Sequence, residues 1–346
     1  MNKTIVRIKV GGLKVQEGGA CVASSFPPGE DLLGSAITGP LAGKKINLTF
    51  LTHAAGSPER YSATVFCTEP ADGSGSYTLV KARSGEHRPV QFSASTALVS
   101  LYPHEKRSEI KGNFLLSLAQ AGVRILGVAS SPAAITAVIS LKAKDLALKA
   151  LFQHFAFSAY QTPAEFHAVQ HPPEKAVREV VASYQEKAPK IYCLVQEPEL
   201  DLWEVSLPDV KAVAQFAAML MALGEVGLMV PFLAGLPRLR KKELLFILAL
   251  AGSGAGPAQT IIQEHLPGFR VARRPGVAAL FTHGPHFGDR YGIAHTMVHA
   301  LEQARVSLLA LSCTVNSISV LIPRPELDNA VKAAGETFEA PLACPA

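Results

Sequence analysis

Four histidines, His283, His286, His295 and His299, crowd one stretch of this 346-residue chain. His295 and His299 are spaced i, i+4, so on a helix they share a face, a spacing that can hold zinc. Ile293, Met297, Ala300 and Leu301 take the core positions of that helix, which turns both histidines outward or toward a partner. No HExxH and no nearby cysteine joins them, so no metal is expected. Just ahead of the helix runs His286-Phe287-Gly288-Asp289-Arg290-Tyr291-Gly292. Its acid and base could pair at the surface, or Asp289 could cap the helix. GxSxG, P-loop and dinucleotide patterns are absent, so no acyl-transfer or nucleotide site and no cofactor is indicated.

The elements that must position these groups follow from a repeated phrase. "LAGKKINLTFL" from Leu41, "LAQAGVRILGV" from Leu118, "LGEVGLMVPFL" from Leu223 and "LEQARVSLLAL" from Leu301 each carry apolar residues five, seven and ten positions after the leucine. The first part of each phrase reads as a helix end, the second as a strand, because the apolar period switches to two. The phrases lie about 77 residues apart within each half and about 182 between halves. A strand and a helix precede each phrase, and a strand and a second helix follow. The expected unit is ferredoxin-like, βαββαβ, with helices on one face of an antiparallel sheet.

The expected fold is therefore α+β, four such units as two tandem pairs: 1–88, 89–156, 191–270 and 271–341. Residues 157–190 read as a linker with one helix near 174–186. "TIVRIKV" reads as the first strand, "EGGACVASSFPPGED" as a long loop, and Pro231 falls inside a second strand. Asp209 stands where a helix cap belongs.

Apolar residues make up 48% of the chain, which supplies ample core, and a net charge of +5 gives no reason to expect nucleic acid. The run Arg238-Leu239-Arg240-Lys241-Lys242 reads as a solvated turn. Polar residues and Pro231 interrupt the longest apolar region, so no membrane span is expected. Cys67, Cys193 and Cys313 sit in apolar runs without CxxC pairing, as in a reducing compartment. With no signal-peptide pattern at the start, the expected location is cytoplasmic.

The last unit resembles the C-terminal ACT domain of aspartate kinases. Gly292-Ile293-Ala294, Ala304 to Leu308, Thr314-Val315-Asn316-Ser317-Ile318-Ser319 and Phe338 carry the likeness. The second unit is similar through Ala121 to Ile125 and Ile135-Thr136, and the other two only in architecture. The opening KVGGLKV is similar to the start of an amino-acid-kinase site, but the repeat leaves no space for a kinase domain behind it.

The resemblance implies a small-molecule amino-acid ligand bound between units. Its site would comprise His286, Phe287, Gly288, Asp289, Arg290, Tyr291, Gly292 and Ile293, with Asn316 and Ser317 from the strand region. Asp289 would take the ammonium, and the amides near Gly292 and Ile293 the carboxylate. The equivalent second-unit loop, His104 to Glu109, is more charged and faces Ala133-Ala134, as an altered or dead site would. The expectation is a non-catalytic amino-acid sensor, with intramolecular pairing of units or a homodimer. One alternative is a detached regulatory subunit or scaffold with vestigial ligand sites, whose exposed edge strands and helix faces dock an aspartate kinase or another enzyme of amino-acid biosynthesis. The other is a small-molecule enzyme using the histidine-rich loop. Lysine, threonine and methionine are ligand candidates by family analogy.

Overall fold

The computed structural model describes residues 7–27, 32–56, 61–85, 88–170, 191–241, 243–284, 290–314 and 317–338. The first half runs β1 (Ile8–Val10), β2 (Gly12–Phe26), a π-helical turn at Leu33–Thr38 into α1 (Gly39–Gly43), β3 (Leu48–Ala54), β4 (Ser62–Thr68), α2 (Gly73–Ser84), β5 (Val90–Tyr102), α3 (Ser108–Gln120), β6 (Ile125–Ser130), β7 (Ile135–Ser140), α4 (Lys144–His154), β8 (Phe155–Phe157) and α5 (Pro163–Gln170). The second half runs β9 (Cys193–Leu207), α6 (Val213–Glu225), β10 (Phe232–Arg238), β11 (Glu243–Ala251), α7 (Ala255–His265), β12 (Arg270–His283), α8 (Ile293–Gln303), β13 (Ala310–Thr314), β14 (Ser317–Pro323) and α9 (Leu327–Thr337). The chain is thus a mixed α+β fold.

The four leucine phrases are four copies of one helix stop. In each, the leucine carbonyl accepts the amide five residues on: Ile46 to Leu41, Val123 to Leu118, Leu228 to Leu223 and Val306 to Leu301, at 2.9–3.0 Å. The residue before that donor is left-handed: Lys45, Gly122, Gly227 and Arg305. This is the Schellman stop, in which a left-handed residue lets the chain turn back on the last helical carbonyls. Leucine and donor residue also pack together, which fixes the apolar spacing of the phrase. The strands begin two to four residues after the donor, so Pro231 precedes β10 rather than lying within it.

Two long antiparallel pairs form the backbone of the sheet. β2 runs beside β5 from Gly12↔Tyr102 to Ser24↔Val90, and β9 runs beside β12. β4 and β3 extend the sheet outward from β2, and β7 and β6 from β5. β11–β10 and β14–β13 repeat this on β9 and β12. β3 then pairs with β13 and β6 with β10, which closes a twelve-stranded barrel. The two halves of the chain therefore pair within one molecule.

Both faces of this sheet are covered, so its strands are near-continuous apolar runs rather than alternating ones. Phe50, Leu98, Phe232, Ile247 and Phe281 fill the inside. Outside, α3, α4, α6 and α7 cover one core, built on Phe114, Phe216 and Phe246. α1, α8 and α9 cover the other, with Met297, Leu301 and Leu311 at its centre. Gly112 permits the close crossing of α3 and α6: a Cβ there would lie 2.7 Å from the Ala217 carbonyl oxygen.

Further expectations change at this level. Of the expected first strand, the described residues Ile8–Val10 form β1, which pairs in parallel with β8 in a separate ribbon. The expected long loop is instead strand from Glu17 to Phe26; a bulge at Gly18-Gly19 interrupts the pattern that marks strands. Arg238 is buried, not part of a solvated turn, because β10 carries it to the inner face. In the stretch expected as a linker, Phe157, Tyr160 and Phe166 are buried, and Tyr160 binds the backbone of Leu13. The helix expected near 174–186 lies outside the described residues. No described helix is long and apolar enough to cross a membrane.

Candidate ligand-binding site

The start of α8 is built to receive negative charge. Gly292 caps it in the left-handed conformation (φ 85°), and its carbonyl accepts both the amide and the hydroxyl of Thr296, at 2.8 and 3.0 Å. The first-turn amides that follow have no acceptor inside the helix, and the helix dipole adds positive potential there.

This end of α8 faces the connection from α1 to β3. Arg290, Gly292 and Ile293 line one wall of a cleft, and Leu41, Ile46 and Leu48 the other. The free space is ≈ 10 Å³, room for about one water. Beside it the Nδ1 of His295 lies 3.2 Å from the Thr38 hydroxyl. Burial, and then the neighbouring His299, lower the pKa of His295. Among the described residues no group of three His, Cys, Asp or Glu side chains could hold a metal ion.

The structure brings Arg290, Gly292 and Ile293 to this cleft but not Tyr291 or Ser317. Tyr291 is 45% exposed. Ser317 is buried at the β13–β14 turn, its hydroxyl 3.1 Å from that of Thr314. His286, Phe287, Gly288, Asp289 and Asn316 lie outside the described residues. Asp209 accepts the Ala212 amide at 3.0 Å and so closes the turn that leads into α6, whose own N-cap, Ala212, has no side-chain cap.

The corresponding place between α3 and the α6–β10 connection is filled. The ammonium of the fully buried Lys111 donates to the carbonyl of Val230, and the Ser108 hydroxyl donates to that of Leu228. The amide of Val230 donates back to the Lys106 carbonyl at 3.1 Å, and Lys106 pairs with Glu197 at 2.5 Å. His104 is buried beside them and accepts the Lys106 amide on Nδ1, so its neutral form carries the proton on Nε2. Burial drives the pKa of Lys111 well down, against the pull of Glu109; burial and then the Lys111 charge do the same to His104.

Aligned on the repeated phrases, Ala294 of α8 stands where α3 carries Lys111, and Ile46 to Leu48 stand where the other interface has Leu228 to Val230. One interface holds a lysine of the chain itself; the other presents a methyl group beside a helix start. Sequence reading saw only a more charged loop. The available signal was a lysine between Ile110 and Phe114 on a helix otherwise facing core.

Residues 273–333, in the C-terminal region, match the ACT domain family. The chain superposes on the crystal structure of aspartate kinase from Synechocystis with a TM-score of 0.79 and 17% identity, over 97% of this chain and 58% of that one. The regulatory subunit of aspartate kinase from Thermus thermophilus aligns with 44% of this chain and 99% of its own, at 19% identity and a TM-score of 0.39. Aspartokinase III from E. coli aligns with 45% of this chain and 35% of its own, at 15% identity and a TM-score of 0.36. The sequence matches no curated protein. The chain spans little more than half the length of the Synechocystis enzyme.

These findings overturn the expected non-catalytic, detached module, and with it the expectation that the protein is no enzyme. The fold over 97% of the chain is one found within an aspartate kinase. The exposed edge strands expected for docking are not found in the barrel. β3, β13, β6 and β10, the outer strands of the two halves, are paired with one another.

Proposed function

We propose that this chain works as part of an aspartate-kinase-type enzyme and that an amino acid bound at its ACT region controls that enzyme. The likeness to an aspartate kinase over 97% of the chain carries the reading. Phosphoryl transfer to aspartate is the activity of the whole enzyme. On this reading the chain divides into four ACT-like units, 1–88, 89–156, 191–270 and 271–341, with 157–190 between the pairs.

The ligand site is the start of α8 with the loop before it. The first-turn amides take the carboxylate, and Asp289 takes the ammonium. His286, Phe287, Gly288, Arg290, Tyr291, Asn316 and Ser317 complete the surroundings. Each charged hydrogen bond contributes about 1.5–3 kcal/mol, so three or four, less ordering costs, reach micromolar affinity near −8 kcal/mol. The cleft holds about one water, so entry parts α8 from the α1–β3 connection. A ligand that binds only the parted form shifts the population toward it, which is what regulation requires.

The test is the rate of ATP-dependent aspartate phosphorylation by the intact protein with lysine, threonine or methionine added, and then the remaining amino acids. One amino acid should change the rate, and Asp289→Ala should abolish the change. Absence of phosphorylation, or a rate indifferent to all twenty, overturns the reading.

A further inference from the structure

A second, charged cavity opens at the mouth of the barrel where β10 turns into β11. It measures ≈ 470 Å³, within the range of small-molecule sites. It lies by the β6–β10 seam, away from the α8 cleft, and none of the α8 residues line it.

Its central group is Arg238. Residues alternate along a strand, so Arg238 shares the inward face of β10 with Phe232, Ala234 and Leu236. It is only 8% exposed. Its Nη1 donates to the Ser206 hydroxyl at 3.0 Å and lies 3.8 Å from the Glu243 carboxylate, too far for a hydrogen bond. Nε of Arg238 and Oε2 of Glu243 have no hydrogen-bond partner. A buried cation with an unmet donor is costly, so this site calls for an acceptor. Burial and the nearby Arg270 work against the charge of Arg238, while Glu243 supports it.

The other walls decide the ligand class. Arg124 adds a second cation at the exposed rim, where Asp209 adds a carboxylate already engaged by the Ala212 amide, and Ala23, Leu126 and Leu239 supply apolar surface. A planar guanidinium beside an apolar wall suits a carboxylate on a short hydrocarbon chain better than a compact, fully hydrated oxyanion. We infer that this cavity binds a small aliphatic organic acid, its carboxylate taken by the guanidinium of Arg238 and its chain covered by the apolar wall. Glu243 competes for the same guanidinium and weakens the site.

Calorimetric titration of the full chain at constant ionic strength with butyrate, succinate and inorganic phosphate tests this. At least one of the two acids should bind once per chain, more tightly than phosphate. Arg238→Met should weaken it at least about tenfold. Glu243→Gln, which removes the competitor and keeps the shape, should tighten it about threefold or more. Circular dichroism and thermal unfolding establish that each variant is folded; if Arg238→Met is not, Glu243→Gln decides. No binding of either acid, affinities unmoved in the folded variants, or phosphate binding tighter than both acids overturns the inference. The amino-acid site at α8 can fail its own test without touching this one.

Discussion

The Lys111 ammonium donates to the carbonyl of Val230, across the interface between α3 and the α6–β10 connection. Where α8 meets the α1–β3 connection, the residue at the place of Lys111 is Ala294. The two interfaces share their backbone plan and differ in whether the chain supplies its own amino group.

Lys111→Ala should therefore leave a hole with a carbonyl acceptor at its end. The expected destabilisation is about 2–4 kcal/mol, from the cavity and the unpaired carbonyl. Propylamine should raise the melting temperature of the variant but not of the unmodified protein. Thermal unfolding with and without the amine checks this, and equal effects on both proteins would refute it.

Stability should rise with pH on account of His104 and Lys111. Both have folded-state pKa values lowered by burial, so the unfolded chain binds more protons in the window below the ordinary values, about 6.5 and 10.4. The contribution is complete above those values and is lost as the pH falls toward the lowered ones. Urea unfolding between about pH 5 and 7 should show a positive slope, smaller in His104→Asn. An unchanged slope would remove His104 as its source.

Lys45 and Arg305 hold the left-handed position of the helix stop that glycine holds at Gly122 and Gly227. A side chain there costs about 1 kcal/mol, so Lys45→Gly and Arg305→Gly should each stabilise the protein by roughly that amount. Denaturant midpoints measure this; a loss of stability in both would contradict the assigned motif.

Gly112→Val should force α3 away from α6, since the added Cβ meets the Ala217 carbonyl oxygen and Met221. The expected cost is about 1–3 kcal/mol. A neutral result in denaturant unfolding would show that this crossing is looser than the structure has it.

The repeated phrase was legible because a local motif writes it: leucine, a left-handed residue and an apolar donor must recur at fixed spacing. Barrel closure was not, because β3–β13 and β6–β10 join segments far apart in sequence and leave no local period. The Ala20–Phe26 part of β2 was not legible because it follows a glycine bulge and is buried on both faces. Arg238 was taken for a turn residue because it adjoins Arg240 and Lys241; only the register of β10 turns it inward. At α8 the helix start and Gly292 were readable. The lysine that fills the other interface registered only as charge, since its burial depends on a partner over a hundred residues away.

The most direct measurement is thermal unfolding of the chain and of Asp289→Ala with each of the twenty amino acids. At about 100 times Kd, a ligand that binds only the folded state adds about 2.7 kcal/mol. Stabilisation by one amino acid, lost in Asp289→Ala, is the predicted result. No stabilisation by any of the twenty would contradict control of this protein by an amino acid at its ACT region.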